Sequence, residues 1–101
     1  MKFANFWTML CKLVAQREEF STLKRHTKFM ASYHNNTILI KPEKTKLQRV
    51  IHVTEFTKVW QKAKTLSDNE RFIQANYHNI TFHASYILAL IKLVIQNETI
   101  E

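Results

Sequence analysis

The 101-residue chain contains no glycine and a single proline, and this limits its fold more than any other feature. Every position that needs positive φ must be filled by a residue carrying a Cβ, and asparagine tolerates that region best. Tight turns are therefore expected at asparagines. Asn35-Asn36, set between two alternating apolar runs, is the natural place for a two-residue hairpin turn. The same absence bears on function. P-loops and dinucleotide fingerprints use glycine to bring backbone amides close to phosphate, so those nucleotide-binding classes are set aside.

Hydrophobic periodicity supplies the elements. Between Lys2 and Phe20, the residues Phe3, Phe6, Trp7, Leu10, Leu13 and Val14 recur at spacings of three and four, the stripe of an amphipathic helix. Ser21 and Thr22 are expected to end it by competing for backbone hydrogen bonds. The period then changes to two. Phe29, Ala31 and Tyr33 share one face of a strand, and Ile38 and Ile40 continue it beyond the asparagine turn. Their shared register makes Phe29 and Tyr33 core residues rather than a stacking platform for bases. A second turn is placed over Pro42–Lys46. A third strand follows with Leu47, Arg49, Ile51 and Val53 alternating.

Thr54 is expected to cap a second helix, with Glu55 favourable to its dipole and Phe56, Val59, Trp60 and Ala63 on its apolar face. Ser67 and Glu70 have capping-box spacing ahead of a short third helix. A last helix spans 82–96, apolar over a broad surface. The fold class expected is α+β: an N-terminal helix, a three-stranded antiparallel meander, then two to three C-terminal helices packed on the sheet. Residues 1–101 are read as a single domain, because 46% hydrophobic content in so short a chain supports one core.

Several chemistries find no pattern here. The most apolar stretch, residues 86–95, contains Lys92 and is about half the ~20 residues a membrane helix needs, so no membrane partner is expected. Cys11 is the only cysteine; it cannot form an internal disulfide, and within an apolar helix it reads as a small hydrophobe. With no cleavage site after the first residues, the cytoplasm is the expected compartment. The five histidines lack the spacing of known zinc modules. The eight acids do not suggest the paired carboxylates of a metal-dependent nuclease. No metal, cofactor or catalytic residue is expected, and the protein is read as a binder.

Charge points to what it binds. The net charge is +7 and the sequence pI about 9.8, a balance that attracts polyanions. Between residues 24 and 49 lie Lys24, Arg25, Lys28, Lys41, Lys44, Lys46 and Arg49 against Glu43 alone, seven minus one, or +6 of the total. The expected function is nucleic-acid binding, DNA ahead of RNA. In this reading the basic β-hairpin contacts phosphates while Asn36, Thr45 and Gln48 offer hydrogen bonds. The alternative is a protein-interaction module, an adaptor or small inhibitor, whose basic face docks on an acidic partner. The bland reading is a set of lysines that merely guards a solvated strand edge. The apolar helix faces near both termini also suggest a homodimer.

Overall fold

A computed structural model describes residues 1–17, 19–45 and 47–100, the last three without their side chains. In chain order it contains α1 (Phe3–Gln16), β1 (Glu19–Ser21), β2 (Lys28–His34), β3 (Thr37–Pro42), β4 (Arg49–His52), α2 (Val53–Thr65), α3 (Asp68–Arg71), a 3₁₀ turn (Gln74–Tyr77) and α4 (Ala84–Ile100). The strands form one antiparallel sheet in the order β1-β2-β3-β4. The α+β class is as expected, but the sheet has four strands where three were predicted.

The additional strand comes from the end of the predicted first helix. Continuing the stripe beyond Val14 would require apolar residues three or four positions on, where the sequence has Arg17 and Glu18. The helix stops at Gln16, and Arg17 turns extended at φ −139° and ψ 130°. Phe20 then pairs with Phe29 across the β1–β2 ladder, their rings stacked at 5.7 Å. Six residues connect β1 to β2, folded about the buried Thr22. Its carbonyl accepts from His26 N–H at 3.1 Å and its hydroxyl from Thr27 N–H at 2.9 Å. His26 has φ 54°, a left-handed position that the sequence did not announce.

The asparagine turn forms where expected, with Asn35 at φ 47° and Asn36 at φ 61°. Two successive left-handed residues give the hairpin twist that suits flanking strands. The register places Ala31 opposite Ile40, Tyr33 opposite Ile38, and Ile38 opposite Ile51. One sheet face thus carries Phe20, Phe29, Ala31, Ile38, Ile40 and Ile51, all buried, whereas Tyr33, expected in the core, lies beside the turn at the end of this face and is 43% exposed. β4 begins two residues later than the predicted alternation. Leu47 lies before it and is 68% exposed, while Val53 already belongs to α2. The cap shifts accordingly: His52 Nδ1 accepts from Thr54 N–H at 3.2 Å, displacing Thr54 from the capping role.

α1, α2 and α4 cover the inner sheet face. Phe6, Leu10 and Val14 of α1 meet Phe56, Val59, Trp60 and Ala63 of α2 and Ile87, Leu90, Ile91 and Val94 of α4 in one cluster. The Phe6 and Trp60 rings stack at 4.7 Å. Phe3, Trp7, Leu13, Leu93 and Ile95 of the same helices are only partly buried against this cluster. α3 follows Ser67, but Ser67 Oγ donates to Glu70 Oε1 at 3.0 Å instead of capping an amide. Arg71 braces this corner. Its Nε donates to Ala63 O and its Nη2 to Leu66 O, each at 3.0 Å. Among the described residues, no helix is long and apolar enough to cross a membrane.

Candidate nucleic-acid interface

An antiparallel meander places alternate turns at opposite ends of its sheet. The β1–β2 and β3–β4 connections, the two most basic loops, therefore share one end, and the asparagine turn occupies the other. At the shared end, Arg25, His26 and Thr27 from the first connection and Lys28 at the start of β2 line a single open depression with Glu43 and Lys44 from the second. A backbone hydrogen bond from Glu43 N–H to Lys28 O at 3.1 Å ties the two together. Glu43 is the one carboxylate in this lining. Lys28 also approaches Glu19 at 3.6 Å, an exposed pair that contributes little to stability.

The outer sheet face extends this surface. It carries Glu19 and Ser21 of β1, Lys28, Met30, Ser32 and His34 of β2, Thr37, Leu39 and Lys41 of β3, and Val50 and His52 of β4, by the alternation of the ladder. Lys41 borders a second shallow depression with Met30 and Glu43. Among the described residues, no helix covers this face. Its centre is apolar for a solvated surface, with Val50 57% exposed and Met30 46%.

The predicted contact residues separate into groups. Arg25, Lys28 and Lys44 are brought together, and Lys41 lies beside them on the outer face. Thr45 and Gln48 are exposed in the β3–β4 connection. Lys46 lies outside the described residues. Lys24 points elsewhere, bordering a depression with Phe72, Ser85 and Lys92 on the helical side. Asn36 sits at the opposite end of the sheet, where its Oδ1 accepts from the Tyr33 hydroxyl at 3.2 Å. Arg49 falls on the inner face, opposite Ile40. Its guanidinium carbon lies 5.9 Å from the centre of the Tyr86 ring, and its Nε is buried without a hydrogen-bond partner among the described residues. A residue opposite a core isoleucine must follow that isoleucine inward, and this carries Arg49 away from the outer lysines.

Other polar groups bind the fold together. Glu55, at the start of α2, accepts from the Thr81 hydroxyl and pairs with His83 Nδ1 at 2.7 Å, joining α2 to the segment that opens α4. The sequence indicated only its favourable place in the helix dipole. Between those two partners, Phe82 is 98% exposed. Cys11 is half-buried on α1, and burial pushes its thiol pKa above the ordinary value. Among the described residues, no three His, Cys, Asp or Glu side chains are grouped to hold a metal ion.

Comparison with family models, curated proteins and solved structures found no match for this chain.

Proposed function

We propose that this protein acts by binding nucleic acid, DNA ahead of RNA, with the basic end of its sheet against the phosphate backbone. The observation that supports this is the convergence of two basic loops on one open depression, with Arg25, Lys28 and Lys44 in its lining. Positive side chains held on neighbouring turns can neutralise successive phosphates, and each neutralised phosphate releases counterions. The contact is to backbone rather than to bases. Arg49, expected among the contact residues and the one whose planar fork could also suit a guanine edge, is turned inward over Tyr86. The outer sheet face offers Met30, Leu39 and Val50 in place of the aromatics on which single-stranded bases stack. Duplex bound with weak sequence preference is the target this arrangement favours.

The test is a salt series of duplex binding with the wild type and an Arg25→Ala/Lys44→Ala double variant. The variant should bind more weakly at low salt, and its log K against log salt plot should be flatter by about 1.8, or 0.9 per lost phosphate contact. Superimposable plots would remove the depression from the contact surface. If the folded wild type shows no salt-sensitive binding to duplex, single strand or RNA, the nucleic-acid reading fails. The second reading, an acidic protein partner, then takes its place. It is favoured by the exposed apolar centre of the outer face, rimmed by Lys28 and Lys41, which suits a protein surface with acidic edges.

A further inference from the structure

A different cleft opens on the far side of the core, between the end of α2 and the middle of α4. Trp60, Ala63 and Lys64 line it from α2, Ile91 and Ile95 from α4, and Met1 and Arg71 complete the lining. Trp60 and Lys64 are four residues apart on α2, hence neighbours on one face of that helix, and Ile91 and Ile95 have the same relation on α4. The result is a slot of about 240 Å³ with an aliphatic wall facing a wall that ends in an indole and an ammonium.

One feature of the slot is unexplained by folding alone. Trp60 is 6% exposed, and its indole Nε1 is buried without a hydrogen-bond acceptor among the described residues. An unsatisfied buried donor costs about 1–3 kcal/mol, and native chains usually supply such a group with a partner. Lys64, one turn further along, has no carboxylate within ion-pair distance among the described residues. Arg71 does not compete for a ligand, because its donors are engaged with Ala63 O, Leu66 O and Asp68. It does satisfy the last carbonyls of α2, which would otherwise repel an anion at a helix C-terminus.

We propose that this slot binds a small amphiphilic carboxylate, a single aliphatic tail ending in one carboxyl group. The tail lies along Ile91 and Ile95. The carboxylate accepts from the indole N–H and pairs with the Lys64 ammonium, with the Met1 side chain displaced from the mouth. A neutral ligand would make no ion pair with Lys64, and a short acid would cover less of the half-buried Ile95.

Titration calorimetry on the full chain tests this with sodium octanoate, 1-octanol and sodium butyrate. Octanoate should bind saturably, and butyrate should bind at least about tenfold more weakly for want of buried methylenes. Octanol should also bind more weakly than octanoate. Lys64→Gln, at an exposed position, should weaken octanoate several-fold and leave octanol unchanged. Trp60→Phe keeps a ring against Phe6 while removing the N–H, and should likewise weaken octanoate. If Trp60→Phe does not fold, Lys64→Gln decides alone. Absence of saturable octanoate binding to the wild type, or equal octanoate affinity in folded Lys64→Gln, overturns the proposal. Neither result bears on the basic end of the sheet, which shares no residue with this slot.

Discussion

Replacing Asn36 tests how a glycine-free chain makes its hairpin. At φ 61° the residue lies where a Cβ crowds the following carbonyl, a cost of about 1–2 kcal/mol for an L-residue other than asparagine or aspartate. Valine adds restriction at χ1 and removes the Oδ1 that accepts from Tyr33 at 3.2 Å, an exposed bond at the low end of about 0.5–1.5 kcal/mol. The backbone cannot relax freely, because Asn36 O accepts from Val53 N–H at 2.9 Å, linking the turn to the start of α2. Asn36→Val should therefore destabilise by about 2 kcal/mol, since the steric cost and the lost bond add. For a domain of this size that corresponds to a fall of roughly 8–16 °C in Tm. Asn36→Gly loses the same side-chain bond but removes the steric cost, and should stay within about 0.5 kcal/mol of wild type or exceed it. Paired urea and thermal unfolding would measure both. A valine variant as stable as the glycine variant would refute the claim that left-handed geometry at Asn36 sets the turn.

Leu90 is fully buried on α4, and Leu90→Ala should lose about 2–5 kcal/mol by chemical denaturation; near-wild-type stability would mean the helix does not fill the core. Glu55→Ala leaves the Thr81 hydroxyl and His83 Nδ1 without their acceptor, and should cost about 1–3 kcal/mol and speed amide exchange in the first turn of α4. Burial raises the Cys11 pKa, so less thiolate is present at pH 8 than on a free cysteine, and an aromatic disulfide reagent should react slowly until denaturant is added. Lys58 lies on the exposed side of α2, away from the paired loops, so Lys58→Ala should leave the salt dependence of duplex binding unchanged. A flattened slope in that variant would mean the whole positive surface, not the sheet end, holds the polyanion.

Sequence alone determined what depends on neighbours along the chain. The stripe Phe6, Leu10, Val14 made α1, and the period-two run from Phe29 made β2 and β3, because side-chain direction repeats with local backbone geometry. The lack of glycine directed the hairpin turn to Asn35-Asn36, since few other residues accept positive φ. The clustering of charge between Lys24 and Arg49 was equally legible, being a matter of counting. What only the tertiary structure decided was where those charges go. Two residues apart on the outer ladder, Lys28 and Met30 face solvent, whereas Arg49 pairs with Ile40 and is drawn onto Tyr86 by a register that no local pattern encodes. Arg25 and Lys44 are nineteen residues apart in sequence, and they line one depression because a meander folds its first and third turns to the same end. β1 escaped notice for the same reason. Three residues have too little periodicity to declare a strand, and Phe20 became one through Phe29, its partner across the ladder. Trp60 was legible as part of the apolar face of α2; the isoleucines of α4 that form a slot with it arrived only when the two helices packed side by side on the sheet.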